Sequence, residues 1–249
     1  MIYKLGIILM VALALVYAFQ AYYPDFVASF SNVFSLFIAG AAVISAAFCL
    51  RKYWHKTRER FSLIWLCFTV GIAFWFLGEV GWAVYTLVLG VEIPYPSAAD
   101  VFWLAGYVPF FIALYLYVKL FGSALSRKML ATAMTLTVLL TILVSVVLIN
   151  PLVAADEDLT TLAIDFAYPL LDLALLSVSL LGLLIFFKGK LARSWLLINA
   201  GIMANVCADV LFSYTTVQGT YYAGHPIDVL FDFSYMFFLL AFYAHTKEF

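Results

Sequence analysis

A chain of 249 residues that is 67% hydrophobic and only 11% charged carries more apolar surface than a soluble core of this length can hide. A formal net charge of −1, with the basic residues in short clusters rather than along one face, argues against a nucleic-acid partner. The apolar runs lack strand-style alternation, which argues against a barrel.

In chain order, apolar runs near 20 residues predict eight transmembrane helices, over 5–20, 27–50, 61–88, 98–120, 129–149, 161–187, 193–216 and 226–245. The expected fold class is therefore all-α, a polytopic single transmembrane domain in the cell membrane. Residues 1–20, with Lys4 and the small-residue "AFQA", also have the form of a secretory signal. We read them as a retained helix. With eight spans and both termini cytoplasmic, the 13 basic residues, from Lys4 through the cluster Arg51–Arg60 to Lys247, all fall on one side. The opposite loops hold Asp25, Glu92, Asp156, Glu157 and Asp158. Retention of positive charge on the cytoplasmic side makes this asymmetry an orientation signal. The three cysteines, Cys49, Cys67 and Cys207, lie inside predicted helices without metal or disulfide spacing, and read as packing residues.

An internal repeat emerges when residues 65–86 are set against 195–216. Trp65 then meets Trp195, Gly71 meets Gly201 and Glu79 meets Asp209. Over the next helix the offset drops by two, and Asp100 meets Asp228, Tyr107 meets Tyr235, Phe110 meets Phe238 and Lys119 meets Lys247. The pattern predicts two parallel four-helix halves, 1–122 and 123–249, related by a pseudo-twofold axis along the membrane normal. The match lies in helices 3–4 against 7–8, whereas the first two helices of each half correspond poorly.

Acidic residues inside apolar helices are the functional candidates, because a charge at the bilayer centre costs about 2.5–3.5 kcal/mol or more. Glu79, Asp165, Asp172, Asp209 and Asp232 lie within predicted helices and Asp100 and Asp228 at helix starts, with no lysine or arginine at the same depth. Trp75, Glu79 and Trp82 share one helical stripe, as do Asp165, Tyr168 and Asp172, and His225, Asp228, Asp232 and Tyr235. Facing inward, these stripes would line an acidic, aromatic pocket open to the outside. The expected ligand-binding residues are Glu79, Trp82, Asp165, Asp172, Asp209, Asp232 and Tyr235.

Simpler roles compete. Ser97 and Asp100 read as a capping box, and Asp228 as a helix-start acid behind Pro226. Glu79 and Asp209 could hydrogen-bond between helices as neutral acids, and Asp172 could satisfy backbone freed by Pro169. Carboxylates this close without basic partners are tolerable if protonated, if they hold a cation, or if they meet a cationic ligand on aromatic faces. A cation would be calcium or magnesium on oxygen ligands, or zinc if His225 joins Asp228 and Asp232.

The stretch "GEVGWAVYTLVLGVEIPYPSAADVFWLAGY" resembles part of the multi-helix sensor modules that precede diguanylate cyclase and histidine kinase domains. Those modules often read tryptophan, loop, proline, serine, alanine-aspartate, then an aromatic L-x-G-Y. "ADVLFSYTTVQGTYYAGHPIDVLFDFSYM" is similar to their closing helix pair. The resemblance carries over Pro96, Ser97, Asp100, Tyr107, Asp209, Gly219, Tyr221, Gly224 and Asp228, and covers the other helices by topology alone. It implies an eight-helix input module. No output domain follows helix 8, so the resemblance leaves open a stand-alone relative, a piece of a longer protein, or signalling through a separate partner.

Three function classes follow. The first is a sensory or ligand-binding module taking a small cationic or lipid ligand. The second is a metal-dependent hydrolase of lipid, with His225, Asp228, Asp232 and Asp209 holding the metal and a carboxylate activating water. It lacks the known histidine-rich signatures. The third is a cation- or proton-coupled transporter, which the parallel repeat would suit but which lacks acids in the cytoplasmic half.

Overall fold

A computed structural model of the chain describes residues 2–54, 59–91, 93–154 and 158–248. Lys56, Arg58, Glu92, Asp156 and Glu157, all used above to read orientation, lie outside the described residues. Eight α-helices run α1 Ile2–Ala18, α2 Pro24–Trp54, α3 Glu59–Ala83, α4 Ala98–Leu120, α5 Arg127–Ala154, α6 Leu159–Phe186, α7 Ala192–Val217 and α8 Asp228–Glu248. Among the described residues there is no strand. Seven of the helices are long and apolar enough to cross a membrane. The expectation of eight is corrected at α1, which is 17 residues long and stops in a tight turn over Gln20–Tyr22. Pro24, lacking an N–H, then opens α2 at a first-turn position where that donor is not needed.

Other boundaries have equally local causes. Ser97 caps α4: its hydroxyl accepts from the Ala99 N–H at 3.2 Å while Asp100 accepts from the Ser97 N–H at 2.7 Å. This reciprocal box satisfies donors that no earlier turn could reach. Asp158 caps α6 by accepting from the N–H groups of Thr160 and Thr161, at 2.7 and 3.1 Å. Those bonds favour the ionised form and hold the Asp158 carboxyl below its usual range. Two helix ends turn off the same way. α3 widens into a π turn over Val84–Val88, then Gly90 takes a left-handed φ of 63°. After α7, Gly219 does so at 65°, and the Thr220 N–H reaches back to the Thr215 carbonyl. α8 starts later than expected. Asp228 stands at its first position rather than its third, and its carboxylate takes the Gly224 N–H of the preceding turn at 3.1 Å.

The helices pack as neighbours in antiparallel pairs, α3 along α4 and α7 along α8. α2 lies against α3 and α8; α6 lies against α7 and α4. α1 rests on α8, whereas α5 rests on α6 and α7, so these two break the pattern. The close pairs rely on small residues. A Cβ on Gly71 would fall 2.7 Å from Phe110 Cδ2, and one on Gly201 would fall 3.2 Å from Phe238 Cε1. Leaving out that carbon lets each aromatic ring lie on a neighbouring backbone, which is how membrane helices gain contact without a hydrophobic driving force.

The densest packing lies where Arg51, Lys52, Lys119 and Lys247 end their helices, which we call the basic end. There Trp65 and Trp195 have no exposed surface. Trp65 packs edge-on against His245 at 4.6 Å and Trp195 against Tyr117 at 5.1 Å. His245 sits between two tyrosines, Tyr53 at 3.1 Å on Nδ1 and Tyr117 at 2.8 Å on Nε2. Further in, Phe110 and Phe238 meet at 5.1 Å.

Candidate functional site

Toward the opposite end the bundle is hollow. A cavity of about 690 Å³ reaches from Trp75 to the loop residues Gly90, Val91, Ile93, Pro94 and Tyr95 and to Tyr221, Tyr222 and Ala223. α2, α3, α4, α6, α7 and α8 all contribute to its wall, through residues such as Asn32, Trp82, Trp103, Tyr168, Asp209 and Tyr235. Four carboxylates line it, Glu79, Asp100, Asp209 and Asp228, and no Lys, Arg or His side chain does so among the described residues. The size falls within the range of small-molecule sites.

The acids reach this cavity by helical register. Trp75, Glu79 and Trp82 all face it, as their shared stripe on α3 requires. The Trp82 indole N–H donates to Asn32 Oδ1 at 2.7 Å, which fixes the ring as a wall. Each lining acid is met by a tyrosine. Tyr235 on α8 donates to Glu79 Oε1 at 2.9 Å. The Tyr107 hydroxyl on α4 lies 3.2 Å from Asp209 Oδ2 and 2.7 Å from Asp172 Oδ1, so its single proton favours Asp172. Tyr168 donates to Asp100 at 2.8 Å and Tyr221 to Asp228 at 3.2 Å. Burial, reinforced by the Asp228 carboxylate, pushes the Tyr221 hydroxyl up, so it remains a donor.

Of the expected ligand-binding residues, Glu79, Trp82, Asp209 and Tyr235 are brought together on the cavity wall. Asp165, Asp172 and Asp232 are not among its lining residues. Asp165 is buried and takes the Tyr95 hydroxyl. Asp172 is buried behind Tyr107, with Asn205 also approaching it at 3.4 Å. Asp232 has no exposed surface and accepts from Ser35 at 2.7 Å and Tyr17 at 3.4 Å, tying α8 to α2 and α1.

The residues expected to hold a metal separate. His225 Nδ1 accepts from the Ile227 N–H at 3.3 Å, Asp228 serves the turn before α8, and Asp232 faces Ser35. Burial lowers the pKa of His225, which keeps its ring neutral. Among the described residues, no group of three or more His, Cys, Asp or Glu side chains is placed to share a metal ion. Ser97 and Asp100 do form their cap, and Asp100 lines the cavity as well.

Sequence reasoning passed over Asn205, Trp103 and Tyr95. Asn205 stands one helical turn before Asp209 and donates to it at 2.6 Å, so an i, i+4 amide–acid pair was the signal that could have found it. Trp103 offered none, because its role comes from lying over Gly78 of another helix. Tyr95 bonds to Asp165 from a distant loop, which no local pattern announces. No protein-family model matches the chain, and no match is found among curated proteins or solved structures.

Proposed function

We propose that the chain is a membrane-embedded sensory or ligand-binding module whose pocket is the acidic, aromatic cavity, and that the cavity opens to the extracytoplasmic side. The carrying observation is a roughly 690 Å³ space walled by tryptophans and tyrosines and lined, among the described residues, by four carboxylates with no lining cation. Such a wall is expensive unless something positive or hydrogen-bond-donating fills the space. A small organic cation satisfies both features, charge on the acids and aromatic faces around it. The resemblance to sensor modules agrees with this assignment, since Ser97, Asp100, Asp209, Tyr221 and Asp228 fall on the cavity wall.

The module is built, on this reading, from two copies of one four-helix unit. The support is a set of crosswise contacts. Trp65 packs on His245 and Trp195 on Tyr117, positions that correspond under the repeat offsets. Tyr235 reaches Glu79 and Tyr107 reaches Asp209, again as matched partners. Phe110 and Phe238, a matched pair, touch each other, as residues on a pseudo-twofold axis would.

The hydrolase reading has no converged ligand set among the described residues. Thermal-shift screening of the purified protein against organic amines, divalent cations and lipids tests the binding reading. Stabilisation by at least one of them, lost when the cavity-wall residue Ser213 is replaced by Trp, is expected. A flat response to all three classes would remove the reading.

A further inference from the structure

Among the seven acids singled out, Glu79 and Asp209 differ from the rest. Asp100, Asp165, Asp172, Asp228 and Asp232 are buried, whereas Glu79 and Asp209 keep accessible surface although they sit deep in their helices. Both line the cavity, so that surface is available to a molecule inside it. They come from different halves of the chain, on α3 and α7, and correspond to each other in the repeat. Each has a tyrosine supplied by the other half, Tyr235 for Glu79 and Tyr107 at 3.2 Å for Asp209. The further acids differ: Asp228 on α8 lies in the electrostatic neighbourhood of Glu79, whereas Asp209 shares the Tyr107 hydroxyl with Asp172 of its own half. One cavity therefore carries two like acidic poles, with aromatic wall from Trp75, Trp82 and Trp103 around them.

We infer that the ligand is an organic dication, a molecule with an ammonium or related cationic group at each end and an apolar spacer between them. One end meets the Glu79 pole and the other the Asp209 pole, with the spacer against the tryptophan faces. This rests on the binding reading above and narrows it to a chemical class. A single cation would leave one of the two acidic poles without a positive partner inside an apolar, aromatic wall, where a lone carboxylate is costly. Two tethered cations compensate both, and attachment of the first raises the effective concentration of the second. Because each pole is assembled from both halves, the dication would also bind the halves to each other.

The test measures binding of the full chain in nanodiscs, by calorimetry, to a series of α,ω-diaminoalkanes with four to twelve carbons and to the n-alkylamines of equal length. The expected result is an affinity optimum at one spacer length, with the diamine there at least about tenfold tighter than its monoamine. Glu79→Gln and Asp209→Asn should each weaken that diamine at least about tenfold, with the folding of each variant read separately from its melting curve. If a variant does not fold, the spacer-length optimum of the unaltered protein decides alone, and a flat length dependence overturns the inference. Equal affinity for monoamine and diamine, abolished by Ser213→Trp, overturns the dication and leaves the binding module standing. Binding of lipid or a divalent metal with no amine binding does the same. No binding by any of these probes overturns both.

Discussion

The two ends of the bundle use the same helices to opposite effect. At the basic end, Trp65, Trp195, Tyr117 and His245 interlock with no space between them. Toward the other end, the same helices carry Glu79, Asp209, Tyr107 and Tyr235 around a cavity of about 690 Å³. Both regions pair a residue of one half with a partner from the other. The difference lies in what the side chains can tolerate. Flat aromatic rings pack face to edge and exclude everything else, as at Trp195 and Tyr117. Carboxylates need donors and resist close mutual approach, so a set of them around one space opposes its collapse. Tyrosine hydroxyls satisfy one oxygen each and hold the wall back from the centre. One end is thus a clamp and the other a receptacle.

That contrast can be broken most forcefully at Trp195. Trp195→Ala should lower unfolding stability by about 3–5 kcal/mol, since a fully buried indole leaves a cavity in a region without slack. Chemical denaturation in detergent would register it as a lower midpoint. The equivalent truncation of a cavity wall, Trp82→Ala, opens existing space and should cost well under half as much. Equal losses would show that the hollow end is packed as tightly as the basic one.

A smaller effect is expected where a glycine brings two helices together. Gly71→Ala should cost about 1–3 kcal/mol, because the added carbon would lie 2.7 Å from Phe110 and 3.2 Å from the Gly106 carbonyl. Gly201→Ala meets Phe238 at 3.2 Å and should cost less, as the ring need give way by only a few tenths of an ångström. Comparing the two melting curves sharpens how far the α3–α4 and α7–α8 contacts are alike.

Removing Ser35's hydroxyl tests a polar tie outside both regions. Ser35→Ala should destabilise by about 1–2 kcal/mol, because Asp232 loses its 2.7 Å donor while fully buried and keeps only the longer contact to Tyr17. No change in melting temperature would mean that the α2–α8 contact does not depend on this bond. The smallest expected effect is at Asp158. Its carboxyl is held below its usual range by the Thr160 and Thr161 bonds, so the folded state binds the proton less readily than the unfolded chain. Its stabilising contribution is therefore complete above the ordinary carboxylate range and fades as pH falls through the depressed value. A pH series of melting temperatures should lose this slope in Asp158→Ala, and an unchanged slope would contradict the cap's role.

Much of the helical framework was legible because apolar run length reports directly on burial in hydrocarbon. α4 was placed at its observed limits, with Ser97 and Asp100 as its cap. α1, expected over 5–20, runs over Ile2–Ala18, since hydropathy does not register where the turn over Gln20–Tyr22 begins. The candidate site was partly legible. Period alone put Trp75, Glu79 and Trp82 on one face, and all three line the cavity. The same logic on Asp165, Tyr168 and Asp172 placed only Tyr168 there, because Tyr95 and Tyr107 from other elements cover the two acids. His225 and Asp232 went elsewhere for a similar reason, each meeting a nearer partner than any shared ion.

What the chain determined by itself is the inventory and its angular order. It set eight apolar helical segments, the acids each carries, and the face of its own helix on which each acid stands. That information is local, because helical rise and twist relate a side chain to its own axis alone. Which acids share one space was decided only in three dimensions. The rotation of α3 against α4 and of α7 against α8 depends on close approach at Gly71 and Gly201, and on which tyrosine fills the gap beside each carboxylate. Packing between helices sets those angles, and so it divides the acids into four that line the cavity and three, Asp165, Asp172 and Asp232, that are bonded behind its wall.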